Sequence, residues 1–568
     1  MRFNGLSVSA KCLIKALPWV WLAFSPGMQA QEVITDVGQM RPQLPEFTQQ
    51  DEDKPFSLPK ITENSRQDPQ IGQSFVLSNV LYSGNTLFTA SELNQHIADY
   101  IGRPITASDL EAMRVKLTQF YIARGYINSG FILPAQTARN GQIQFQVIEG
   151  TLSSIQLSGM DDIYPEFIIE RLLPDPEAPF NLKEFQERYQ LLLNNPLFDK
   201  FDGRFRPGAQ PGKSVLDLTI TPATPYGLSI QADNFGSASS GEGQLNLNGH
   251  YLNLLGHGDN ISASIRMKEG SLGGSLSYQI PLNKYDTRLT VQFGFNDSDV
   301  IEQQIETLDI ESDYQSTEIS LSQPIISSLE RTLLVTGTLS VRENQGSLLD
   351  QPFSFAFGEN NGLSRVSALR LALQGSIRSA KQVWSAHLRY SHGITAFHAT
   401  DNNNLTPDSD FSALLLQLQY ARLLEGGLRL TWRADGQLSS DGLLPLEQFA
   451  IGGARTVRGY RENELVRDEG FITSIELRSP VFDDLDYGGK LGALDAYLFS
   501  DYGEGSYRSE IQDNASSLWS AGLGLVWQFT PGWAFEVIYG HAIKAPQTRA
   551  NYVLQDDGIH MRITGELF

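Results

Sequence analysis

From Tyr226 to Phe568 the chain shows no helical periodicity; segments of roughly ten residues alternate apolar with polar, the repeat of strands that cross a membrane as a barrel. Ile261-Ser-Ala-Ser-Ile265-Arg266-Met267-Lys268 shows it plainly, with Ile261, Ala263, Ile265 and Met267 on one face and Ser262, Ser264, Arg266 and Lys268 on the other. Such segments start near 226, 243, 259, 273, 287, 314, 331, 363, 382, 411, 427, 470, 491, 517, 532 and 558, which makes about sixteen strands. The connections sort by parity. Even-numbered ones are short, as in Ser379-Ala-Lys381 and Thr530-Pro-Gly532, whereas most odd-numbered ones are long and polar. A soluble sandwich also alternates, but nothing in it sorts loops this way; short periplasmic turns opposite long outer loops do. After residue 30 no uncharged apolar run approaches a spanning helix, so a mature chain that crosses a membrane must do so as a closed antiparallel β-barrel.

Strand parity assigns the faces. Leu228, Ile230, Leu245, Leu247, Ile261, Ile265, Leu523, Leu525, Ile559, Ile563 and Leu567 should meet lipid. Gln244, Asn246, Arg266, Gln292, Arg370, Gln374, Arg389, Gln417, Glu476 and Arg478 should point inward and line a wet lumen instead of a packed core. Trp519, Trp527, Phe529, Trp533, Phe535 and Tyr539 fall near strand ends, where an aromatic girdle sits.

The barrel region, 224–568, follows four other stretches. Residues 1–30 read as a signal peptide, with Arg2, Lys11 and Lys15 ahead of the apolar run from Ala16 to Phe24 and a small residue, Ala30, before the cut. The single cysteine, Cys12, lies within it, so no disulfide or thiolate metal site is expected in the mature protein. Residues 31–73, with Pro42, Pro45, Pro55 and Pro59, read as a linker holding at most one short helix. Residues 74–150 give strand, helix (Thr89 as N-cap, Glu92 as its partner; Leu93, Ile97 and Ile101 on one face), helix (from Ser108 with Glu111; Leu110, Met113, Leu117 and Phe120 buried), then two strands. Residues 151–223 repeat that order, with a second helix that opens at Asn181 with Glu184 at the capping position.

One long connection stands apart. Between two strand-like segments lies Leu446-Glu447-Gln448-Phe449-Ala450-Ile451-Gly452-Gly453, followed by Val457-Arg458-Gly459-Tyr460 and, further on, Glu476-Leu477-Arg478-Ser479-Pro480. These residues resemble the signature of two-partner secretion transporters, outer-membrane pores of the haemolysin/adhesin secretion-activation family within the POTRA-plus-barrel superfamily. The resemblance implies that the two α/β units are POTRA domains in the periplasm and that a helix before Pro42 plugs the barrel. It also implies that the loop carrying Val457, Arg458, Gly459 and Tyr460 folds back into the barrel. Phe499-Ser500-Asp501 looks like the family's Phe-x-Asp motif, whose aspartate pairs with the loop arginine; parity independently puts Asp495 and Asp501 on the lumen side. A terminal aromatic, Phe568, resembles the signal by which outer-membrane barrels are assembled.

The function implied is export of an unfolded exoprotein, captured through its N-terminal secretion domain and passed across the outer membrane of a Gram-negative bacterium. Activation of that partner is a further role the family name carries. Expected partners are the exoprotein, outer-membrane lipid and the barrel-assembly machinery acting on the C-terminal strand, with the transporter itself a monomer. The alternative within the same superfamily is a barrel-assembly insertase, which carries more than two POTRA domains; a passive porin has no use for periplasmic domains. The balance of 43 Lys+Arg against 65 Asp+Glu, a net charge of −22, argues against nucleic acid as a partner. No catalytic, cofactor or metal site is assigned: His387 and His392 fall on opposite strand faces, and Gly452-Gly453 lacks a phosphate-loop lysine.

Overall fold

The computed structural model describes residues 44–47, 74–160, 162–302, 306–403, 407–482, 492–508, 515–546 and 552–568. The expected signal peptide and the plug helix before Pro42 lie outside them. The chain forms two compact units, an N-terminal α/β unit and a barrel.

The barrel is a closed antiparallel sheet of sixteen strands from Tyr226–Asp233 to Ile559–Glu566, with a short flap, Gln351–Pro352, paired to the strand Arg331–Leu348. Each strand begins within four residues of its expected start, the largest difference being Ile310 against 314. Closure falls on the first and last strands, which pair only from Arg562 opposite Asp233 to Glu566 opposite Ser229. Beyond that, the Leu567 N–H donates to the Leu228 carbonyl at 2.8 Å. The Phe568 ring stands edge-on to Tyr226, 6.3 Å between centroids.

Side-chain parity follows the alternation. Ile265, Leu523, Leu525 and Ile563 are exposed on the outer face. Ser264 bonds Ser275 at 2.8 Å, and the Arg266 Nε donates to Asn246 at 3.0 Å, both on the inner face. The expectation of a wet lumen needs correction around one loop. Inward-facing Leu415, Ile472 and Leu518 pack against Phe449, Ile451, Val457, Tyr460 and Leu465, and Val366, Ala368 and Ala413 pack against Leu443, Leu444 and Leu446. Strand parity predicts polar lumen lining, but these wall positions break the alternation because they cover an apolar loop.

In the α/β unit, residues 74–222 build two lobes of like order. The first holds helices Ala90–His96 and Ala107–Ala123 on a sheet in which Gln142–Ile148 lies between Asn79–Ser83 and Gly130–Ile132. Thr89 and Glu92 form the expected capping box, which ends the helix's orphan N–H groups on a side-chain oxygen. The second helix starts earlier than expected. Its box is Thr106 with Asp109, not Ser108 with Glu111; Glu111 instead pairs with Arg114. Leu93, Ile97, Met113, Leu117 and Phe120 are buried, but Ile101 is exposed because the first helix stops at His96. In the second lobe, helices Pro165–Leu172 and Leu182–Leu193 cover a sheet with Lys213–Pro222 in the middle. Asn181 caps by accepting from the Lys183 N–H, and Glu184 faces Arg188 across one helical turn.

The outer-face assignment has a direct check. Arg placed at Ile265 should cost the barrel about 2–4 kcal/mol if that site lies near the bilayer midplane, whereas Arg at Ser264, which faces inward, should cost much less. Urea unfolding of the lipid-reconstituted protein, followed by tryptophan fluorescence, should separate the two; equal losses would contradict this register.

Candidate functional site

The site is built on the connection between the strands Arg429–Ser439 and Glu469–Phe482. This segment does not extend away from the barrel. It folds inward through a short 3-10 turn, Pro445–Glu447, and a small hairpin, Phe449–Ile451 with Leu465–Arg467, whose apolar side chains are buried against the wall. Between the hairpin strands the motif forms the tip. Gly459 sits at φ +90°, a conformation that disfavours side chains, and a Cβ there would lie 2.6 Å from the Gly540 carbonyl oxygen. Glycine therefore lets the tip approach the wall at backbone distance.

Arg458 is 4% exposed and Asp501 is 0% exposed. The Arg458 Nε and Nη2 donate to the two Asp501 oxygens at 2.7 and 2.8 Å, and the Arg458 backbone N–H adds a third bond at 3.0 Å. Nη1 donates to Glu476 at 2.9 Å and Nη2 also reaches Ser474 at 3.1 Å. The Phe499 ring lies 3.6 Å from the guanidinium carbon. This is a bidentate, charge-assisted fork with a second carboxylate and an aromatic face, which uses the planarity peculiar to arginine. Burial by itself favours loss of the proton, but Asp501 and Glu476 outweigh it and hold the guanidinium well above its ordinary range. Glu476 also accepts from Arg478 at 3.1 Å, and Arg478 stands 4.0 Å from Asp495. Val457 is fully buried, and the Tyr460 hydroxyl lies 2.8 Å from the Trp519 carbonyl and 2.7 Å from that of Lys544.

Two further anchors hold the loop. Arg461 forks onto Asp556, with both bonds at 2.6 Å, and the Glu462 N–H donates to Gln555 at 2.9 Å. The Gln555 amide in turn donates to the carbonyls of Asn234 and Gly236, so the tip is tied beside the closing strands. On another arc of the wall, Glu447 takes two bonds from Arg370, at 2.9 and 2.6 Å, and lies 3.5 Å from Arg342. Burial pushes the Glu447 carboxyl up, but Arg370 and Arg342 overcome this and hold it at about 2.

The structure thus brings together Val457, Arg458, Gly459, Tyr460, Phe499, Asp501, Glu476 and Arg478. Phe568 is remote from them, at the barrel's end. The sequence alone assigns no role to Glu447 and gives no sign of the pairing of Arg461 with Asp556. The signal for Glu447 is its place as the one charged residue between Leu443 and Ile451. A wet lumen would leave Arg458 with Asp501 a weak tie, whereas burial changes the energetics: deleting one member of such a buried pair costs about 3–5 kcal/mol.

The family model for the haemolysin secretion/activation protein ShlB/FhaC/HecB matches residues 212–527. The chain belongs to this family. A second model, the POTRA domain of ShlB type, matches residues 75–150. Over 473 residues the chain is 25% identical to the outer membrane transporter CdiB of Escherichia coli, covering 80% of this chain and 76% of that one. The solved CdiB structure from Escherichia coli superposes with a TM-score of 0.68 at 22% identity, over 90% of this chain and 92% of that one. BamA from Haemophilus ducreyi, solved without POTRA domains 1–3, reaches a TM-score of 0.52 at 13% identity over 87% of this chain and all of that one. Sequence and fold therefore favour the secretion branch over the insertase, and place the barrel in the outer membrane with the POTRA side in the periplasm.

The tip's dependence on Gly459 is testable. Gly459→Ala adds about 1–3 kcal/mol of backbone strain and a clash with Gly540. It should loosen the loop without unfolding the barrel, seen as faster tryptic cleavage at Arg455, Arg458 or Arg461 in the purified protein while heat-modifiable gel mobility is kept.

Proposed function

We propose that this pore exports one large polypeptide of haemolysin or adhesin type across the outer membrane, and that the inward loop is the latch that must be released for passage. The observation that carries the reading is the buried fork of Arg458 on Asp501, which fixes a loop within the conduit of a family of secretion proteins. The α/β lobes capture the unfolded secretion domain, adding its strand to a sheet edge where main-chain hydrogen bonds supply affinity. Folding of the emerging polypeptide outside gives direction to the transfer. Phe568 serves as the mark read by the barrel-assembly machinery, and one chain, surrounded by outer-membrane lipid, is the working unit.

Deleting the gene in its source bacterium should remove one large polypeptide from the culture medium and leave other outer-membrane barrels at normal abundance. General loss of barrels would assign the chain to insertion instead.

The latch makes a sharper demand. Arg458→Ala and Asp501→Ala should each strongly reduce secretion while the barrel still assembles, and the double mutant should be hardly worse than either, as coupled partners require. Additive losses, or normal secretion by either single variant, would refute the pairing as a functional latch.

A further inference from the structure

The two ends of the loop leave opposite charges on the wall. At the tip the loop brings a cation, Arg458, to an acidic pair, Asp501 and Glu476, which also holds its own wall-borne Arg478. At Glu447 the roles reverse. The loop brings the carboxylate, and the wall supplies Arg342 from the strand Arg331–Leu348 and Arg370 from Leu363–Arg378. Glu318 is the wall's own acid, 2.8 Å from Arg342. With the loop in place, Arg342 and Arg370 face two carboxylates, Glu447 and Glu318. Without it they face one.

Arg370 and Glu447 are 4% and 5% exposed, so neither charge is settled by water at rest. A guanidinium in such a place needs a carboxylate close by, and its fork geometry selects one that can take two parallel bonds. If the loop withdraws to admit a polypeptide, Glu447 leaves with it, while Arg342 and Arg370 remain on the wall.

We propose that Arg342 and Arg370 form a carboxylate-binding site on the lumen wall, filled by Glu447 at rest and taken over by Asp and Glu side chains of the polypeptide in transit. Glu447 is then a stand-in for the cargo. Exchange of one carboxylate for another keeps the arginines paired, which lowers the cost of moving the loop aside and favours acidic segments at this point of the path. The inference rests on the export reading for its physiological meaning, but the site itself can be tested without export.

The full chain in planar lipid bilayers supplies the measurement, with a synthetic oligoglutamate as probe and oligoglutamine of equal length as the neutral control. Glu447→Gln empties the site of its resident anion. Oligoglutamate should block the current through this variant at concentrations about tenfold lower than through Glu447→Gln/Arg342→Gln/Arg370→Gln, and oligoglutamine should block neither preferentially. Equal block of the two variants, or equal block by the two peptides, overturns the site. Should Glu447→Gln fail to give a folded barrel on unheated gels, Arg458→Ala with and without Arg342→Gln/Arg370→Gln makes the same comparison, the loop then being freed from its other end. Failure of the export reading shows separately, as unchanged secretion on deletion of the gene, and leaves the peptide block intact.

Discussion

A guanidinium removed from water has to be neutralised where it sits, and the region around Arg458 is organised by that requirement. Asp501 and Glu476 are held at fixed positions on adjoining strands, and Ser474 and the Phe499 ring complete the shell. Such a group is expensive to bury and more expensive to strand, so the free energy favours either the docked state or one in which the whole loop regains water. Partial displacement, with the charge still buried and the fork broken, is the poorest arrangement. That makes the loop switch-like.

Packing reinforces this. The hairpin of Phe449–Ile451 and Leu465–Arg467 lies against Leu415, Ile472 and Leu518, so polar fixation and apolar burial act on the same segment. Glu447 and Arg461 tie it to other arcs of the wall. A segment held at several separate places must break several interactions before it moves, as the proposed latch requires.

Much of the architecture could be read from residue order alone because strand parity and the sorting of loop lengths are long-range, redundant signals. Errors of a few residues at strand ends leave the barrel unchanged. The helix in the first lobe shows where the capping rule alone falls short: Thr106-Ala-Ser-Asp109 and Ser108-Asp-Leu-Glu111 both fit a capping box, and the nearby Arg103 and Arg114, outside either four-residue pattern, pair with Asp109 and Glu111 respectively. For the loop, resemblance to the family supplied the pairing of Arg458 with Asp501, whereas its dryness was missed. Leu415, Ile472 and Leu518 are apolar at inward positions, an anomaly that has meaning only once something is known to cover them. Arg461 with Asp556 joins residues 95 apart and leaves no periodic trace.

The tip reaches groups that exist in place only once the last strand has been laid down. The Gly459 N–H points to His560, 101 residues later in the chain, and Glu462 needs Gln555, which itself holds the backbone beside the first strand. The loop follows the eleventh of the sixteen strands and finds its full set of partners only with the residues around the last. Its docking therefore depends on a sheet that has closed on itself: without His560 and Gln555 in place the tip lacks part of its seat.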